Sequence, residues 1–187
     1  KAIELDPDLA SAYFHRGHAY DYFIGDEQLA LLDYNKAIEL EPNEASFLYF
    51  RAQLYLDFDR YDYASRDFKK AIELDPKYVK AYVGAAEAYE KAGKYKESLA
   101  FYFEAIQLDI KNHELYRKKA FVHQQLGEYD KALVTYDHAV KLDPTDALNY
   151  SLRGDLYKDA GDFEKALDDF GRAIEVTPKN SRSGSRR

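Results

Sequence analysis

Three observations in the sequence predict an all-α stack of antiparallel helix pairs. All five prolines share one phase: Pro42, Pro76, Pro144 and Pro178 fit a spacing of 34 residues, and Pro7 lies 35 before Pro42. The motif K-A-I-E-L-D/E-P at Lys1–Pro7, Lys36–Pro42 and Lys70–Pro76 returns in looser form ending at Ile110, Pro144 and Pro178. Small residues recur at the same period, as Gly17, Ala52, Ala86, Ala120 and Gly154, with aromatic side chains at fixed offsets from them. A fixed period of about 20–50 residues marks stacked supersecondary units. Apolar residues recurring at three and four make those units helical. The 35-residue gap means that the first unit carries one extra residue. Such an array is read for its surface before it is read for an active site.

Taken in order, residues 1–9 close the second helix of a preceding unit. Five complete units follow, at 10–44, 45–78, 79–112, 113–146 and 147–178, and residues 179–187 form a disordered basic tail or linker. Within a unit, a glycine stops the first helix and a proline follows the second. Gly25, Gly93, Gly127 and Gly161 stand at the first joint, because glycine takes the left-handed conformation there at little cost. Asp59 replaces glycine in the second unit and tolerates that conformation less well. Asn43 and Thr145 are candidate caps for the helices after Pro42 and Pro144.

The joints carry a signal of their own: G-K-Y-K-E-S-L from Gly93, G-E-Y-D-K-A-L from Gly127 and G-D-F-E-K-A-L from Gly161. On these residues the chain resembles the tetratricopeptide repeat (TPR) family, whose unit is a helix–turn–helix of about 34 residues. The resemblance runs from Ala10 to Pro178. It implies a right-handed superhelical solenoid whose concave groove is lined by the first helix of every unit.

The packing pattern is legible without that resemblance. Ala30, Ala64, Ser98, Ala132 and Ala166 hold a second small phase, and Ala37, Ala71, Ala105, Ala139 and Ala173 a third. Between them stand Tyr20, Tyr55, Tyr89, His123 and Tyr157, and Tyr34, Phe68, Tyr102, Tyr136 and Phe170. Alternating small and large side chains let helices interlock at native density. Phe170 and Ile174 project from the last helix, so that end is expected to contact another chain or a capping helix.

The 187 residues carry a net charge of −7. Four of the positive charges lie in the tail, at Lys179, Arg182, Arg186 and Arg187, which leaves −11 on the rest. An acidic array disfavours nucleic acid and anionic membranes as partners. No apolar run is long enough to span a bilayer. The absence of cysteine excludes disulfides and thiolate metal sites and fits a cytoplasmic location. The chain has no methionine and opens inside a helix, so a longer parent protein is expected.

Chemistry-bearing clusters are sparse. His15, His18 and Asp21 share one helical face at ligand-like spacing, but no convincing fourth ligand accompanies them. Asp168-Asp169 reads as solvated surface, and Asn149-Tyr150-Ser151 as a chance sequon on a packed helix. His123 stands in a tyrosine position and reads as a packing residue. No phosphate loop, nucleophile elbow or H-E-x-x-H is present. Neither an enzyme nor a cofactor or metal is expected.

The groove positions that the resemblance implies are Phe14, His15 and His18, then Tyr49, Phe50 and Gln53, then Val83, Gly84 and Glu87. Arg117, Lys118 and Phe121 follow, then Ser151, Leu152 and Asp155. Phe14, Tyr49 and Phe50 form an aromatic wall, or else pack within the chain. Arg117 and Lys118 form an exposed basic step. The lysine, asparagine and arginine set of carboxylate-gripping chaperone-tail binders is not matched, and neither is the asparagine ladder of sugar-transferase arrays. The expected function is a non-enzymatic scaffold holding a peptide or partner helix that offers an apolar anchor and an acidic group. The alternatives are self-association through the array ends, giving a homo-oligomer through the C-terminal helix, and a regulatory arm of a larger enzyme.

Overall fold

A computed structural model describes residues 2–177. The tail expected to be disordered lies outside the described residues. Every regular element among those residues is helical, and the chain divides into two compact units, 1–109 and 110–187. The division falls beside Ile110, where the other repeats carry proline.

The N-terminal unit holds α1 (Ala2–Leu5), α2 (Ala10–Ala19), a π-helix (Tyr20–Ile24), α3 (Glu27–Leu40), α4 (Ala45–Asp57), α5 (Tyr61–Leu74), α6 (Val79–Lys91) and α7 (Tyr95–Leu108). Here α2 pairs with α3, α4 with α5 and α6 with α7, while α3 packs on α4 and α5 on α6. The C-terminal unit holds α8 (His113–Gln125), α9 (Tyr129–Leu142), α10 (Ala147–Asp159) and α11 (Phe163–Val176). In it α8 pairs with α9 and α10 with α11, and α9 packs on α10.

The surplus residue of the first repeat is located by the π-helix. Gly17 stands one residue further from Ala30 than Ala52 stands from Ala64. The widened turn at Tyr20–Ile24 lies inside that interval and takes up the difference. The turn ends on Gly25, at φ 72°.

The joints follow the sequence. Gly93, Gly127 and Gly161 take φ of 71°, 73° and 81°, and among the described residues Asp59 is the one non-glycine residue at positive φ, at 57°. The helix caps sit one residue later than Asn43 and Thr145. Glu44 accepts from Ser46 N at 3.2 Å and Asp146 from Leu148 N at 2.9 Å. The turn after each proline uses up Asn43 and Thr145, so extended backbone, which an N-cap requires, begins only at Glu44 and Asp146. Thr145 instead donates from N and Oγ1 to Asp143.

The small phases are buried throughout, and Tyr34, Phe68, Tyr102 and Tyr136 are sealed between them. Gly84 belongs to this packing and not to the groove row: a Cβ there would drive into the Phe68 ring. Phe170 likewise folds over Gly154, so of the two residues expected to project from α11, Ile174 does so fully.

Ion pairs to buried aspartates also span the helix pairs. Arg16 Nε and Nη2 donate to Asp33 at 2.7 and 2.7 Å, those of Arg51 to Asp67 at 2.6 and 2.8 Å, and those of Arg153 to Asp169 at 2.8 and 2.6 Å. Asp169 is therefore 2% exposed and not part of a solvated acidic face. A forked guanidinium that answers both carboxylate oxygens offsets the cost of burying the charge. The third and fourth repeats place Ala85 with Phe101 and Lys119 with Thr135 at these positions. Burial lowers the pKa of Lys119.

Candidate functional site

In the N-terminal unit the first helices bring several of the expected residues together. The ring of Phe14 on α2 lies 5.2 Å from that of Phe50 on α4, and 4.8 Å from Phe47, with which it stacks. His18, one turn further along α2, meets Phe50 edge-on at 5.3 Å and stacks on Tyr22 at 6.0 Å with planes 4° apart. Tyr49 abuts Phe50 at 5.3 Å and Tyr78 at 5.0 Å, and its hydroxyl accepts from Gln53 Nε2 at 3.1 Å. Burial raises the Tyr49 pKa, and the charge of Glu87 on α6 adds to the shift.

The wall has two depths. Phe14, Tyr49 and Phe50 are half-buried and press on the core around Ala30, Tyr34, Ala37 and Phe68, so they act in packing as well as surface. Tyr22, Phe23 and Ile24 stand out at 75%, 78% and 67% exposure. None of these three is among the groove positions that the sequence predicts. Their signal was the surplus residue in the first repeat, which sequence alone placed no more finely than within that unit. His15 touches Phe14 at 5.3 Å and also lines an open cleft of about 460 Å³ with Ile3, Leu9 and Arg16. Val83 on α6 is half-buried.

Asp21 does not join His15 and His18 as a ligand set. Its carboxylate accepts from the Tyr34 hydroxyl at 3.2 Å. Among the described residues no three His, Asp or Glu side chains converge as a metal site. Burial raises the Asp21 pKa against the pull of that hydrogen bond. Asp57, at the end of α4, is raised by burial first and by the Asp21 charge next; Lys91 opposes the shift and Glu87 adds to it.

In the C-terminal unit, Arg117 is not an exposed basic step. It is 16% exposed, ion-paired with Asp146, and donates to Asn149 Oδ1 at 3.2 Å. Asn149 is itself buried, donating to the carbonyl of Ala139 at 3.3 Å, so this asparagine is sequestered in the fold. Lys118 is half-buried and Phe121 is exposed on the same helix, and Ser151, Leu152 and Asp155 are half-buried on α10. His123 is buried with Nδ1 2.6 Å from a Glu128 carboxylate oxygen, which adds a side-chain hydrogen bond to its packing position.

Four tetratricopeptide-repeat family models match the chain, at residues 10–44, 49–113, 125–161 and 147–180. Together they cover most of its length. The chain belongs to the tetratricopeptide repeat family. No curated protein sequence matches it. Solved structures share its fold. One crystal structure of MamA is 25% identical, with 86% of this chain and 93% of that one covered at a TM-score of 0.79. A MamA fragment from Desulfovibrio magneticus RS-1 is 19% identical, with 92% and 97% covered at 0.82. YrrB, described as a TPR protein with an unusual peptide-binding site, is 24% identical, with 96% and 92% covered at 0.75. As in other TPR proteins, helices pair consecutively, and none among the described residues is long and apolar enough to cross a membrane.

Proposed function

We propose that this TPR protein is a non-enzymatic interaction scaffold that takes up a peptide or partner helix on its first-helix face. The observation that carries this reading is the aromatic row Phe14, His18, Phe50 and Tyr49 across α2 and α4, continued outward by the exposed Tyr22. Aromatic side chains bring large contact area at low entropic cost and dominate interface energetics. Val83, Glu87 and Gln53 extend the face, with Arg117, Lys118 and Phe121 as the candidate positions of the C-terminal unit.

The test is to pan the protein against a displayed peptide library and titrate the selected peptide. Phe50→Ala should weaken binding at least about tenfold, with helicity by circular dichroism unchanged. Binding that survives both Phe50→Ala and Tyr22→Ala would place recognition elsewhere.

A second reading, self-association through the last helix, has an observation of its own. Phe163, Leu167 and Ile174 recur along one side of α11, and Ile174 is 76% exposed. Light scattering across a concentration series, with Leu167→Asp plus Ile174→Asp as control, separates the two readings. A monomer at every concentration removes the second.

A further inference from the structure

We infer that the partner segment received by the N-terminal unit is basic: an apolar side chain seats against Tyr22 and Phe50, and an arginine or lysine beside it reaches Asp21 and Asp57. The inference rests on the first-helix reading above and gives the partner's chemistry. It reverses the acidic group expected from Arg117, a side chain already engaged by Asp146 and Asn149.

The geometry runs from apolar to acidic along one face. On α4, Phe50, Gln53 and Asp57 are three and four residues apart, which sets them in one line. On the neighbouring helix, His18 meets Phe50 edge-on and stacks on Tyr22, and Asp21 directly precedes Tyr22. The π-turn carries Tyr22 outward directly after Asp21, where a regular turn has no residue to spare.

The charge is lopsided. Asp57 feels Asp21 and Glu87 as repulsion, and Lys91 offsets only part of it. Each carboxylate is harder to ionise than usual, chiefly because it is partly buried. A cation arriving here relieves that cost. A guanidinium suits the place best, since it pairs with a carboxylate and lies on aromatic faces at once. An acidic segment would add a like charge to an already crowded one. A nucleic acid is disfavoured for the same reason, and so is a second copy of a chain whose net charge is −7.

The experiment uses two labelled synthetic peptides with the same leucine- and phenylalanine-containing core, one flanked by arginines and the other by glutamates. Fluorescence polarisation measures both against the full chain. The arginine peptide should bind at least about tenfold tighter, and added salt should narrow the difference. Asp57→Asn should shrink the preference severalfold, and Lys91→Glu should enlarge it. Tyr22→Ala should weaken the arginine peptide without abolishing the preference. Equal binding of the two peptides, tighter binding of the glutamate peptide, no binding of either, or a preference untouched by Asp57→Asn and Lys91→Glu overturns the inference. Phe50→Ala separates the two claims. If it weakens both peptides equally where no charge preference exists, the first-helix reading stands and this inference falls. If binding with full preference survives it, the first-helix reading falls.

Discussion

Arg51 closes on Asp67 through two parallel hydrogen bonds, from Nε at 2.6 Å and from Nη2 at 2.8 Å, and the same guanidinium donates through Nη1 to Asn35 Oδ1 at 2.6 Å. One side chain thereby ties α4 to the helices on both sides of it. Truncating either partner strands the other. Arg51→Met should destabilise by about 3 kcal/mol, read from urea unfolding. Adding Asp67→Leu should recover much of that loss, because the pair then leaves together. A double variant as unstable as the sum of the singles would show that the two residues act independently.

Two mid-helix glycines should respond to alanine with opposite signs. At Gly84 the new methyl meets the buried Phe68 ring, so Gly84→Ala should cost about 1–3 kcal/mol. At Gly171 nothing lies within 4 Å of the new carbon, so Gly171→Ala should gain about 0.5–1 kcal/mol from helix propensity alone. Thermal melts of the two variants, compared with the unsubstituted protein, decide both.

Asp59 holds a position that four other repeats give to glycine. Asp59→Gly should stabilise by up to about 1 kcal/mol, the steric cost of a left-handed non-glycine residue. The exposed hydrogen bond from the Tyr61 hydroxyl at 2.7 Å is lost in exchange, which trims the gain. Gly93→Asp, the reverse change in the next repeat, should destabilise. If both variants lose stability, the conformation at this joint is not what selects the residue.

The Glu128 carboxyl lies below the usual glutamate range, held down by Lys131 first and His123 next. A depressed carboxylate contributes stability above its unfolded pKa, near 4.5, and loses it as the pH falls through the lower folded value. Glu128→Gln should therefore melt below the unsubstituted protein at neutral pH. The gap should close as the solution is acidified below the unfolded value. Asp57 carries the opposite sign: its raised pKa means that Asp57→Asn should stabilise at neutral pH, with an advantage that fades on acidification. Melting temperatures across an acid titration of the three proteins test both signs.

The helix pairs, their small-and-large packing and the left-handed joints were legible in the sequence because each is a repeated sterically enforced choice. Ala132 and Tyr136 follow from their phase alone. The arginine–aspartate ties were not legible. Asp169 beside Asp168 looks like ordinary surface, and only the pairing of α10 with α11 shows Arg153 answering both of its oxygens. Arg117 failed for the same reason: a cation on a groove phase looks available until Asp146, far along the chain, is seen against it. Gly84 failed because groove and packing phases lie next to each other on α6, and the Phe68 ring decides between them. The surplus residue of the first repeat was counted correctly, yet counting does not reveal which turn widens or which side chains it turns outward.

That widened turn has a consequence for how such a molecule varies. Because Tyr20–Ile24 absorbs one residue within a single loop of helix, Gly17 before it and Ala30 after it still meet their partners. The interior is insulated from the insertion, and all of the novelty is delivered to the outside as Tyr22, Phe23 and Ile24. A lineage or a designer could lengthen one rung of the ladder at this point and obtain a new contact surface without redrawing the rungs on either side.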